Sequence, residues 1–299
     1  MVFFSLSDNQ TSKKGTHVKT LLSFRHAVMA IAVAAGLAVT LMSSATVARA
    51  SVIGGVNLGA PSDSPHRWGD CNVQDFKSAP GYGWVIVSYG YWDTTGYHDT
   101  GPQIVRNGML WGWFDQGGAP GHLSCPRNSQ HNPGVTDQRV VAQDFRGGTL
   151  FWGPGMDHAT VLDHSRWPAV KWGLQHLGTP YDVGWCLKFV VDAYNVGLYG
   201  GRIVLHGGPY DTATTTARAY QWWYTGAGSH PGDVNAPFGM FVVWAGPEAH
   251  DGSGHIAIGL GGGYMLTTEY DTNVSPSNVN VHIQRVRNDT NYLGWVVPK

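Results

Sequence analysis

Apolar and polar positions alternate with three different rhythms along the chain. Residues 27 to 42, AVMAIAVAAGLAVTLM, form an unbroken apolar run preceded by Lys13, Lys14, Lys19 and Arg25 and followed by SSATVARA, which ends at Ala50. Residues 51 to 80 are rich in Gly, Ser, Pro and Asp with little periodicity and read as an irregular lead-in. From Tyr82, aromatic and β-branched runs such as GWVIVSYGYW (83–92) are broken by glycines, a pattern that predicts short strands. Within it RNGMLWG (106–112) recurs as RGGTLFWG (146–153), and both segments read as equivalent strands after tight turns.

A helical rhythm begins at Ser165. SRWPAVKWGLQHLG (165–178) has Pro168 near its start, Val170, Leu174 and Leu177 at helical spacing, and Gly178 as a stop. Beyond Thr179-Pro180-Tyr181, Leu187, Val190, Val191 and Tyr194 fall at i, i+3, i+4 and i+7, with Lys188 and Asp192 as an exposed i, i+4 pair. Cys186 then sits in the first turn of a buried amphipathic helix. NAPFGMFVVWAG (235–246), GHIAIGL (254–260) and YMLTTEY (264–270) complete an antiparallel meander. With Gly261–Gly263 as a three-residue loop, Leu260 pairs with Tyr264 and His255 faces Glu269. The expected fold class is α+β.

The ends and the composition narrow the setting. A basic segment, an apolar core and Ala48-Arg49-Ala50 make a secretory signal over residues 1–50, cleaved after Ala50, so the expected localisation is secreted, at the cell envelope. No later stretch approaches spanning length, and no membrane partner is expected after signal removal. The signal carries five of the 19 Lys and Arg and one of the 20 Asp and Glu, which leaves 14 basic against 19 acidic residues, a net −5. That balance excludes the basic stripe of a nucleic-acid binder. With 41 Gly and 13 Trp but only 13% charged residues, the chain suits short strands and aromatic surfaces, either stacking on sugars or packed in small cores.

An oxidising compartment favours pairing Cys71 with Cys125, both in the Gly/Pro-rich half. Cys186 is left over, as a buried structural thiol or as a nucleophile. The free N–H groups of a helix start lower a thiol's pKa and can hold an oxyanion, which points to a nucleophile. It needs a base. His255, opening a strand after Gly254, supplies one in a papain-like arrangement, taking the thiol proton and returning it to the leaving amine. There is no His-Glu-x-x-His or Cys-x-x-Cys motif, so no metal is expected, and GLGGGY (259–264) lies in a hairpin rather than in a phosphate loop.

Two stretches resemble known families. Residues 113–162, with Gly-Ala-Pro-Gly-His-Leu-Ser-Cys-Pro, Gln143-x-Phe145, Trp152, Pro154 and His158, resemble the LGFP repeats of actinobacterial cell-wall proteins, which implies attachment to the wall. LGTPYDVGWCLKFVVDAY and GHIAIGLGGGYML, 69 residues after the cysteine, resemble the two halves of the NlpC-type and CHAP-type cysteine peptidases and amidases.

After the β-rich, repeat-like LGFP region at 81–163 that the first resemblance implies, the second implies a papain-like domain at 164–299. It also implies a Cys-His hydrolase that cleaves an amide bond of peptidoglycan without a cofactor. Trp185 departs from the Asp usual before the cysteine, and Leu187-Lys188 from the Ser-Gly usual after it. The third catalytic position, often histidine, falls at Thr267; Glu269 is the preferred alternative for holding the imidazole. Tyr181 and Trp185 are expected at the substrate pocket, although Tyr181 also reads as a packed tyrosine with a local hydrogen bond. A non-catalytic wall-binding or interaction protein on the same scaffold is the competing function, and a transferase or toxin using the same thiol is a third.

Overall fold

The structure, a computed structural model, describes residues 51–181, 186–202, 223–224, 227–246, 254–268 and 280–298. All of these belong to one compact unit, Thr46–Lys299. The architecture is α+β and rich in antiparallel sheet.

A small hairpin of β1 (Val52–Ile53) and β2 (Val56–Asn57) opens the described chain. β3 (His66–Trp68), β4 (Cys71–Ala79), β5 (Gly83–Asp93) and β6 (Gly96–Arg106) follow as a meander in chain order. The lead-in expected to be irregular therefore contributes four strands, one of them nine residues long. Its apolar signal is thin because β4 carries Asn72, Gln74, Asp75, Lys77 and Ser78 at half-buried or exposed positions, and bulges break its alternation. Val73, Ile86 and Val105 enter one cluster, and Phe76, Val85 and Ile104 enter another.

The segment RNGMLWG is not a strand. Asn107–Asp115 form helix α1, while its sequence counterpart forms β8 (Gly148–Trp152) between β7 (Val141–Phe145) and β9 (Thr160–Val161). The two similar segments are thus not structural repeats. Glycines explain the helix's position: a Cβ at Gly108 would lie 2.3 Å from the Trp152 Nε1, and one at Gly112 would lie 2.3 Å from the Ala159 carbonyl oxygen. α1 lies against β8 and the chain before β9 at a distance that only glycine permits. Met109, Leu110 and Trp113 bury its other apolar positions. Cys71 of β4 is joined to Cys125 in a disulfide with Cα atoms 5.4 Å apart, the pairing expected from the sequence. In the chain-entropy account, closing a loop of this length stabilises by about 4 kcal/mol.

α2 (Trp167–Leu174) has Pro168 in its first turn, as the pattern predicts, and Gly178 follows with φ 75°. α3 (Cys186–Asp192) runs directly into a π-helical segment, Ala193–Leu198. The remaining strands are β10 (Ala227–Pro231), β11 (Phe241–Trp244), β12 (His255–Gly261), β13 (Tyr264–Thr268), β14 (Val281–Arg285) and β15 (Tyr292–Val297). They form an antiparallel sheet in the order β10-β15-β11-β12-β13-β14.

Leu187, Val190, Val191 and Tyr194, the positions expected on the buried helix face, join Ile256, Ile258, Leu260 and Leu266 in one core on the helix-covered face of this sheet. Val242, Trp244, Ala257, Met265 and Trp295 form a second cluster on the other face.

The expected boundary at 163/164 does not divide the core. Val140, Phe151 and Met156 share a cluster with Val170 and Val190. Thr160 Oγ1 donates to the Leu260 carbonyl at 2.5 Å, and the Asp157 N–H donates to the Tyr264 hydroxyl at 2.8 Å. Among the described residues no helix is long and apolar enough to cross a membrane.

Candidate active site

Helix packing decides which end of the large sheet lies beneath Cys186. α2 and α3 run side by side in opposite directions. A Cβ on Gly197 would lie 2.6 Å from the Pro168 carbonyl oxygen at the start of α2, and one on Gly173 would lie 3.0 Å from Phe189 of α3. Tyr194 donates its hydroxyl proton to the Gly239 carbonyl, and the Gly239 N–H donates to the Gly259 carbonyl at 2.8 Å. That ties the π-helical segment to the Gly259 end of β12. Beyond α2, Leu177 bridges to Val281, the residue paired with Thr268. Cys186 therefore stands at the end of the sheet where His255 begins β12 and Thr268 finishes β13.

Cys186 is buried, at 7% exposure, and lies outside the disulfide. Its neighbours in the core include the apolar residues of α3 and the helix-facing side of β12. Thr268 also belongs to this side of the sheet, since Leu266 does and strand side chains alternate. The Thr268 Oγ1 is buried and has no hydrogen-bond partner among the described residues. The sequence reading passed over this hydroxyl because it sits inside an unremarkable Thr-Thr pair.

His255 is 4% exposed, and its Nε2 lies 2.8 Å from the Thr267 Oγ1. The pairing of Ile258 with Leu266 and of Gly259 with Met265 makes His255 and Thr267 diagonal neighbours on one face. The register of the ladder is the expected one, but the turn is tighter: Gly261 pairs with Tyr264, leaving Gly262 and Gly263 as the loop, and a bulge at Leu260 absorbs the extra residue.

Alternation sends Ile256, Ile258 and Leu260 towards the helices, and His255 with Ala257 towards the opposite face, where the His255 ring lies 5.5 Å from that of Trp244. The structure thus brings His255 and Thr267 into contact. It sets Cys186 at the same end of the sheet on the other face.

Burial holds the His255 imidazole neutral, and the positive charges of Arg287 and His282 add to this, bringing its pKa down to about 3. When Nε2–H donates to Thr267, Nδ1 becomes the acceptor of the ring, which is the tautomer a thiol proton requires. No sequence motif marks Trp244, His282 or Arg287, because each acts on His255 through the fold and not through neighbouring positions.

Tyr181 is tied to α3 by three contacts. Its hydroxyl donates to the Asp192 Oδ2 at 2.6 Å, its ring meets Phe189 edge-on at 5.5 Å, and the Lys188 ammonium lies 5.7 Å from the ring centroid. Lys188 also pairs with Asp192. That pair was expected to be exposed, but its side chains are only 23% and 14% accessible because Tyr181 covers them. Trp185 and Glu269, the other residues expected at the site, lie outside the described residues.

Compared with known proteins, the chain matches no protein-family model, and no curated protein is significantly similar to it.

Proposed function

We propose that this protein is a secreted cell-envelope hydrolase that cleaves an amide bond of peptidoglycan with Cys186 as nucleophile, on a papain-like scaffold. The observation that carries the reading is the placement, at the same end of one sheet, of the chain's only cysteine outside the disulfide and a buried imidazole held by Thr267. In this mechanism the Cys186 sulfur adds to the carbonyl carbon after its proton passes to His255 Nδ1. The C–N bond then breaks as the imidazolium protonates the departing amine, and water attacks the thioester with His255 again as base. At rest Thr267 holds the ring through Nε2. Transfer requires the imidazole to give up the Thr267 contact and move from the Trp244 side to the Cys186 side, and Gly254, at φ 73°, precedes it with the backbone freedom of glycine. The β-rich region at 81–163 serves as the wall-binding part.

One observation favours a second reading, a non-catalytic wall-binding protein: an imidazole held near pKa 3 on the far face of the sheet is a weak base for a thiol. The deciding experiment is mass spectrometry of peptidoglycan fragments released by residues 51–299 and by Cys186→Ala. Soluble fragments that vanish with the substitution support the hydrolase, and their masses name the bond. Sedimentation of both proteins with the wall, without release of fragments, sinks it in favour of the binding protein.

A further inference from the structure

A second concave site lies on the N-terminal sheet, where the end of α1 passes over β4 and β5. It is a cavity of about 220 Å³ with aromatic walls. Phe114 stands between two indoles, 5.9 Å from the Trp68 ring at 63° and 5.0 Å from the Trp84 ring at 52°. Val73 and Ile86, both buried, belong to the cavity lining. Asp75 also lines it, with its Oδ1 3.4 Å from the Trp84 Nε1, so the carboxylate is steered by the wall itself.

The charge around the cage favours a cation. The Asp75 backbone N–H donates to Asp63 Oδ1 at 2.8 Å, which leaves the Asp75 carboxylate as the acidic group of the lining. His66, also in the lining, lies 3.1 Å from Asp63 and is matched by it. Lys77 is the permanent cation nearby, with its ammonium 5.9 Å from the Trp84 centroid; the indole face already accepts positive charge. Three aromatic rings around a small volume with a carboxylate at the side suit a desolvated organic cation, which the ring quadrupoles attract and the carboxylate neutralises.

We propose that the Trp68–Trp84–Phe114 cage, with Asp75, binds a quaternary ammonium head group. The site is independent of Cys186 and His255 and does not rest on the hydrolase reading. A volume of about 220 Å³ admits one such head group, with the rest of its bearer left outside.

The test is titration of the purified protein with choline and with its neutral carbon isostere 3,3-dimethylbutan-1-ol, followed by calorimetry and tryptophan fluorescence. Choline is expected to bind saturably, with the isostere at least about tenfold weaker. Trp84→Leu and Asp75→Asn should each weaken choline by about tenfold, and Lys77→Met, which removes the internal competitor, should strengthen it. Asp75→Asn and Lys77→Met are partly or fully exposed positions, so they keep the test decisive if Trp84→Leu fails to fold. Equal binding of choline and the isostere, no choline binding, or affinities unmoved by both charge changes would overturn the proposal. So would N-acetylglucosamine oligomers quenching the same tryptophans where choline does not, which would make the cage a sugar platform.

Discussion

The imidazole of His255 and the hydroxyl of Thr267 meet at 2.8 Å across neighbouring strands, both almost fully shielded from water. They are twelve residues apart and diagonal on one face, so the contact exists only because the glycine hairpin places Ile258 opposite Leu266. A buried polar pair of this kind stabilises only while both members are present.

Thr267→Val, which keeps the shape and removes the partner, should therefore destabilise the fold by about 1–3 kcal/mol. Thr267→Ser should recover most of that loss. Urea unfolding of the three proteins checks the ranking.

Acid should weaken the protein through the same residue. The His255 pKa is about 3 in the fold, below its ordinary value. Below pH ~6.5 the unfolded chain binds a proton that the folded one refuses. Stability from this group is complete above that pH and falls progressively as the pH drops towards 3. Denaturant midpoints between pH 7 and 5 should decline less steeply for His255→Gln than for the parent, and parallel slopes would contradict the assignment.

Replacing Gly112 with alanine should be strongly destabilising although alanine is the better helix former. The new Cβ would meet the Ala159 carbonyl oxygen at 2.3 Å, and backbone cannot move aside as a side chain can. The expected loss of about 1–3 kcal/mol from overpacking exceeds the propensity gain of about 1 kcal/mol. A lowered melting temperature for Gly112→Ala, beside an unchanged one for an exposed control such as Val52→Thr, reads this out.

The Cys71–Cys125 bridge spans 54 residues and holds β4 to the segment that precedes β7. Changing both cysteines to serine should cost about 4 kcal/mol, or somewhat less where the unfolded chain keeps structure. The reactivity of Cys186 towards iodoacetamide under native conditions should stay as it was, since the bridge lies in the other core cluster.

Local chemistry made several features of this chain readable in advance. Spacing alone assigned Leu187, Val190, Val191 and Tyr194 to a buried helix face, Pro168 to a helix start, and the ladder register of β12 against β13. Cysteine arithmetic paired Cys71 with Cys125. Each depends on neighbours in sequence or on a count, and each survives in the fold.

Tertiary structure decided the rest, because it depends on what lies across a face. RNGMLWG is a helix and RGGTLFWG a strand, although they read alike, because Gly108 and Gly112 allow one to lie flat on the other's sheet. β4 shows no simple alternation because Val73 enters one cluster and Phe76, three residues on, another, and bulges shift its register on either side of them. The two regions expected to be separate share a core through Phe151 and Met156. The side of the sheet on which the His255 ring lies follows from strand alternation, but which side carries the helix of Cys186 follows only from how α2 and α3 pack. A sequence names the residues that alternate; it takes the assembled layers to say which face looks at what.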